Sequence, residues 1–333
     1  MNLLISILML LGGLALIYYG ANFLTDGASS IARRMQVSGL VIGLTIVAVG
    51  TSTPELAVSL TSAIQGKESI SLGNVVGSNI FNILAILGPV ALISPLKVAK
   101  STTYVEIPML IIFSVILLIL AQDTLFEGSA GADIISRGDG IILLLLFFMF
   151  ISYTFYIARK SIREEKALKT ESPDAPKIKV YGWGLSIFMV LGGLAMLVFG
   201  GNTFTIGASD IARALGVQEA IIGLTLVAFG TSVPELATSI IAARKGHADM
   251  AIGNIVGSNI FNTIFILGIT ATVLPIPTQG ITAFDFGVMM LATILLFMFT
   301  LFYGKREIKR LEGFILLATY LAYTTWLVAQ QLV

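Results

Sequence analysis

The chain has 333 residues, 56% of them hydrophobic and only 12% charged, with a formal net charge of +1. Soluble domains carry roughly a quarter charged residues, so this composition excludes a soluble globule, and the near-neutral charge gives no reason to expect nucleic acid as a partner. The absence of cysteine excludes disulfides, thiolate metal sites and thiol nucleophiles, while the single histidine, His247 in a polar stretch, argues against histidine catalysis or a histidine metal cage.

A membrane-spanning helix needs about 20 mostly apolar residues. Polar breaks predict ten such spans, near 3–22, 37–64, 72–93, 103–121, 138–157, 183–202, 217–243, 251–274, 284–303 and 312–330. The first could be mistaken for a cleaved leader, but no basic residue precedes its apolar run and the same pattern recurs inside the chain, so it reads as a span. Arg33, Arg34, Lys97, Lys100, the basic residues from Arg159 to Lys179, Arg244, Lys245 and those from Lys305 to Arg310 all fall in alternate loops. The other loops hold only Lys67, Arg137 and Arg213. The positive-inside rule then puts the first set in the cytoplasm and both termini outside. The polar stretch from Lys160 to Lys179 reads as a flexible cytoplasmic linker.

A shift of 180 residues aligns the chain with itself. Gly50 to Ser59 (GTSTPELAVS) matches Gly230 to Ser239 (GTSVPELATS), and Gly73 to Asn82 (GNVVGSNIFN) matches Gly253 to Asn262 (GNIVGSNIFN). Gly12-Gly13 and Gly43-Leu44-Thr45 also recur, as Gly192-Gly193 and Gly223-Leu224-Thr225. Each half holds five predicted spans, and an odd number makes the second half enter the membrane from the opposite side. The expected fold is therefore an all-α integral membrane protein of the cell membrane, with ten transmembrane helices arranged as two inverted five-helix repeats. Residues 1–158 form the first repeat, 159–181 the linker and 182–333 the second repeat.

In isolation, Thr-Ser-x-Pro-Glu is a helix start: a hydroxyl caps free amides, proline suits the first turn, and glutamate favours the positive end of the dipole. Here the motif sits within apolar spans and is expected to break each into half-helices, a device tolerated where freed carbonyls line a cavity or find another partner. Glu55 and Glu235 add a carboxylate to each break. A charge at a span centre costs roughly 2.5–3.5 kcal/mol on insertion scales, and the central parts of the spans hold no Lys, Arg or His. The two acids are then either protonated or matched by a cation from solution. Ser52, Glu55 and Ser59 share one helical face, as do Ser232, Glu235 and Ser239. On the next spans Asn74, Ser78 and Asn82 recur every four residues, mirrored by Asn254, Ser258 and Asn262. An all-oxygen donor set suits a hard cation, and two carboxylates balance one divalent ion. Asn74 and Asn254 fit interhelical hydrogen bonding as well as ion contact. The glycines of the second motif fit close packing. Glu106 and Asp285 are expected at the interface, and Asp26 and Asp210 at helix ends or in loops.

At these residues the sequence resembles the sodium/calcium exchanger family of the cation/calcium exchanger superfamily, whose two alpha-repeats look like GTSTPE and GTSVPE, each followed by a GNxVGSNIFN run. The resemblance implies a transporter rather than an enzyme, with no cofactor and with Ca²⁺ and Na⁺ as transported ions. It implies Ca²⁺ on Glu55 and Glu235 with the carbonyls of Thr51 and Thr231. It also implies Na⁺ sites using Ser52, Ser78, Ser232 and Ser258 with the carbonyls of Ala48 and Ala228, and sliding of the first and sixth spans. Gly12, Gly13, Gly192 and Gly193 suit that sliding. One departure stands out: some members place an acid at one of the positions of Asn82 and Asn262, whereas both are amides here. The leading expectation is Ca²⁺/Na⁺ antiport from a midplane site between the repeats; the alternatives are Ca²⁺/H⁺ antiport and a cation channel.

Overall fold

The computed structural model describes residues 3–128, 133–168, 180–216, 228–278, 280–303 and 306–332. Among the described residues it is helical apart from two short strand pairs. In chain order the main helices are α1 (Leu3–Met35), α2 (Gly39–Thr51), α3 (Thr53–Ile64), α4 (Ile70–Ile93), α5 (Thr102–Ala121) and α6 (Arg137–Leu168). They continue as α7 (Trp183–Ala214), α8 (Ala228–Arg244), α9 (Ala248–Val273), α10 (Ala283–Phe302) and α11 (Arg310–Leu332). Among the described residues eight helices are long and apolar enough to cross a membrane, or nine if α2 and α3 count as one broken span. Residues 217–227, the predicted start of the seventh span, and 169–179 of the predicted linker lie outside the described residues.

Several helices outrun their predicted spans. α1 continues to Met35 and α7 to Ala214, and α6 runs to Leu168, so the first residues of the predicted linker are helical. Hydropathy ends a span where polar residues begin, but the helix persists while its backbone bonds and packing persist.

The chain divides into two compact units, Met1–Thr51 with Phe155–Asn254, and Ser52–Thr154 with Ile255–Val333. In the first unit, α1 and α7 run antiparallel in close contact. Ser6, Gly13, Gly20 and Gly27 recur every seven residues on α1, as do Ser186, Gly193, Gly200 and Gly207 on α7. A Cβ at Gly13 would meet the Gly200 carbonyl at 2.8 Å, one at Gly20 the Gly193 carbonyl at 2.9 Å, and one at Gly27 the Ser186 carbonyl at 2.8 Å. Only hydrogen fits between these backbones, the packing that small residues permit between membrane helices. Gly12 and Gly192 do not belong to it, since a Cβ on either meets nothing within 4 Å. α2 packs against the start of α9 in the same way, a Cβ at Gly253 falling 2.8 Å from the Leu40 carbonyl.

In the second unit α4, α5, α9 and α10 supply large fully buried side chains, among them Leu72, Ile80, Phe113 and Phe286. The buried share of the apolar window is 78% in α4 and 89% in α9 but 17% in α6 and α11, which leaves the latter two largely exposed. Strand β1 (Leu96–Lys97) pairs antiparallel with β4 (Glu307–Ile308), and β2 (Ile134–Ile135) with β3 (Ile276–Pro277). Because β1 precedes α5 and β4 follows α10, while β2 follows α5 and β3 precedes α10, the two helices run antiparallel. The last helix of each half also packs on the third long span of the other half. A Cβ at Gly313 of α11 would meet the Gly88 carbonyl of α4 at 2.7 Å, and one at Gly140 of α6 the Gly268 carbonyl of α9 at 2.9 Å.

Glu106 and Asp285 are both buried within the protein. Each stands near the start of its helix, as predicted, but a tyrosine from the following helix covers it: Tyr153 donates to Glu106 at 2.6 Å and Tyr323 to Asp285 at 2.8 Å. Asp26 is not at a helix end but well inside α1, where Lys245 donates to it at 2.7 Å; Asp210, one turn from the end of α7, accepts from Arg213.

Candidate ion-binding site

The first proline motif breaks its span as predicted. α2 and α3 meet at Ser52 with a bend of 43°. Pro54, which lacks an N–H, sits in the opening turn of α3, and Glu55 follows in the same turn. Ser52 makes no side-chain cap bond to α3, so the capping reading of its hydroxyl does not hold. In the second motif the expectation of two half-helices fails among the described residues, because α8 is continuous from Ala228 to Arg244 with Pro234 inside it. Proline removes one i→i−4 bond, that to the Gly230 carbonyl, and the neighbouring turns hold the helix together across the gap.

Glu55 and Glu235 are both buried, as are Ser52, Ser59, Ser232 and Ser239 of the same motifs. Thr51, Ala48, Ser78, Asn82, Ser258 and Asn262 are buried too, Thr231 is half-buried, and Ala228 opens α8. The glutamate-bearing turn is clamped in the same way in both halves. Asn74 Nδ2 donates to the Glu55 carbonyl at 3.1 Å and to Ser59 Oγ at 3.0 Å. Asn254 Nδ2 donates to the Glu235 carbonyl at 3.4 Å and to Ser239 Oγ at 3.0 Å. Thr51 Oγ1 reaches the other side of Asn254, donating to its Oδ1 at 3.1 Å. Asn74 and Asn254 thus each hydrogen-bond the turn that carries the acid.

Farther along α4 and α9 the backbone widens into π turns at Asn82–Ile86 and Phe261–Ile266. Such turns expose carbonyls and redirect side chains, and they recur at functional sites. Around them Asn79, Asn82, Asn259, Asn262 and Thr263 form one buried polar cluster. Asn82 Nδ2 donates to Asn259 Oδ1 at 2.9 Å, and Asn262 Nδ2 to Asn79 Oδ1 at 3.2 Å. The Oδ1 atoms of Asn82 and Asn262, and Ser258 Oγ, are buried without a hydrogen-bond partner. A buried acceptor left empty is uncommon and calls for a reason. Helical spacing does not single out Asn79 and Asn259; their signal in the sequence is their place in the repeated Gly-Ser-Asn, three residues before Asn82 and Asn262. The donor set is all oxygen, with neither sulfur nor imidazole, which suits a hard cation.

The sequence model of the family described as sodium/calcium exchanger protein matches residues 5–156 and 185–329. The chain is 38% identical over 324 residues to CaxA of Alkalimonas amylolytica, covering 96% of this chain and 98% of that protein. It is 33% identical over 341 residues to the sodium/calcium exchanger MaX1 of Methanosarcina acetivorans, covering 96% and 97%. A solved structure of the sodium-calcium exchanger NCX_Mj, soaked with 10 mM Na⁺ and zero Ca²⁺, superposes with a TM-score of 0.79 at 31% identity, over 97% of this chain and 99% of that one. With matches in both halves and over nearly its whole length, this multi-pass, all-helical membrane protein belongs to the sodium/calcium exchanger family.

Proposed function

We propose that the protein is a secondary antiporter that exchanges Ca²⁺ for Na⁺ across the cell membrane. Glu55 and Glu235 supply the two negative charges that balance Ca²⁺, joined by the carbonyls of Thr51 and Thr231. Ser52, Ser78, Ser232, Ser258, Asn82, Asn262 and the carbonyls of Ala48 and Ala228 complete the sites for Ca²⁺ and Na⁺. The observation that carries this reading is the twice-repeated clamp, in which an asparagine fixes a buried glutamate-bearing turn through the glutamate carbonyl and a serine one turn on. Rigid placement of a costly buried carboxylate is what a binding site needs and what packing alone does not. The exchange named for MaX1 and NCX_Mj points to the same ions.

The ten-span plan, with the first repeat in 1–158, a linker in 159–181 and the inverted second repeat in 182–333, has three supports. Equivalent helices α1 and α7 run antiparallel, as do α5 and α10. β1 pairs with β4, and their loops are both predicted cytoplasmic; β2 pairs with β3, and theirs are both predicted external. The glycine-lined pair of α1 and α7 then slides as one body to give alternating access. The test is Glu55→Gln and Glu235→Gln, each measured for Ca²⁺ uptake into proteoliposomes. Either change should abolish uptake while the protein still folds, and uptake at the original rate would remove the proposal.

A further inference from the structure

The hydrogen bonds around the π turns fix which atom each asparagine presents. Thr263 Oγ1 spends its one hydrogen on the Asn259 carbonyl at 2.8 Å, so toward Asn79 it can only accept, and Asn79 Nδ2 donates to it at 2.8 Å. With its nitrogen committed there, Asn79 turns Oδ1 to Asn262, whose Nδ2 must donate. The atom left over on Asn262 is its oxygen, buried and without a partner. The second series starts from the main-chain carbonyl of Asn79, which accepts Asn259 Nδ2 at 3.1 Å. Asn259 then turns Oδ1 to Asn82 and takes its Nδ2, and the atom left over is again an oxygen, Asn82 Oδ1. Each series ends on a main-chain carbonyl, which can only accept, so neither amide can turn over without breaking the series.

We propose that Asn79, Asn259 and Thr263 are positioning residues that make Asn262 and Asn82 present a carboxamide oxygen, never a nitrogen, to a hard cation. This rests on the reading of Asn82 and Asn262 as cation ligands. The arrangement is crossed: the asparagine that sets Asn262 lies in the first half of the sequence and the one that sets Asn82 in the second. It also selects the residue type. A carboxylate at position 262 would set an oxygen against Asn79 Oδ1, two acceptors with no hydrogen between them. The network therefore keeps both positions neutral and leaves the site's charge to the two glutamates.

The test uses the full-length chain with Thr263→Val, Thr263→Ser, Asn262→Asp and the double variant Thr263→Val/Asn262→Asp. In proteoliposomes, Thr263→Val should raise the Ca²⁺ concentration for half-maximal uptake by about fivefold or more with little change in maximal rate, because it loosens a ligand without removing one. Thr263→Ser, which keeps the hydroxyl, should stay within about twofold of the unaltered protein. Should valine not fit, Thr263→Ala repeats the measurement. Melting in detergent without Na⁺ or Ca²⁺ reads the orientation by itself. Asn262→Asp should lower the melting temperature, and adding Thr263→Val should restore about half or more of that loss, since a released Asn79 can turn its Nδ2 to the new carboxylate. Additive melting shifts would overturn the proposal, as would an unchanged half-maximal Ca²⁺ concentration in Thr263→Val. If the unaltered protein takes up no Ca²⁺, the proposed function fails, while the ion-free melting cycle still decides whether the amides are held this way.

Discussion

Gly192 and Gly193 are neighbours on α7 with opposite surroundings, and replacing each with alanine separates helix propensity from packing. In a helix interior, alanine is favoured over glycine by about 0.8–1.0 kcal/mol. Gly192 has nothing within 4 Å of a built Cβ, so Gly192→Ala should keep that gain. At Gly193 the new methyl would stand 2.6 Å from the Leu24 nitrogen and 2.8 Å from the Gly20 carbonyl. Both are backbone atoms of α1 and cannot swing aside as a side-chain end would. Overpacking of this kind costs about 1–3 kcal/mol, so Gly193→Ala should come out between neutral and about 2 kcal/mol destabilised. The difference between the two variants, about 1–3 kcal/mol, measures the groove itself. Thermal and denaturant unfolding of the detergent-solubilised protein gives it directly. Equal shifts for the two substitutions would refute the close antiparallel contact of α1 and α7, and with it the paired-helix sliding built upon it.

Asn74→Ala and Asn254→Ala should each cost about 1–3 kcal/mol of stability by emptying a clamp on the glutamate-bearing turn, and each should weaken Ca²⁺ uptake, read by melting and isotope flux. Tyr153→Phe should destabilise by about 1.5–3 kcal/mol, because a buried carboxyl loses its donor, whereas Tyr104→Phe at an exposed position should be silent in the same melts. Burial holds His247 below the ordinary imidazole value of 6.5; Asp26 opposes that shift, and Lys245 and Arg33 add to it. The unfolded chain therefore binds the proton more readily, so this part of the stability is present above pH 6.5 and fades as the pH falls toward the lower folded value. His247→Gln should flatten that slope in pH-dependent melts.

Much of this architecture was legible because membranes restrict the possibilities. Apolar runs marked the long apolar helices, and the 180-residue repeat marked the two buried glutamates. The seven-residue spacing of Gly13, Gly20 and Gly27 was also present, yet it gained meaning only once α7 supplied the facing Gly200, Gly193 and Ser186. The tyrosine partners of Glu106 and Asp285 are not legible in the sequence, because they lie 47 and 38 residues away along the chain. Proline marked a break at Pro54 but not at Pro234, where the surrounding turns keep α8 continuous. The roles of Asn79 and Asn259 depend on which amide atom faces which neighbour, a matter of three-dimensional contact that no spacing encodes.

The most direct test of the central claim is ⁴⁵Ca²⁺ uptake into proteoliposomes preloaded with Na⁺, against liposomes preloaded with K⁺ and others carrying only a pH gradient. Exchange of Ca²⁺ for Na⁺ predicts uptake that requires internal Na⁺ and disappears in both controls. Uptake driven by the pH gradient alone would contradict it and make the two buried glutamates carriers of protons.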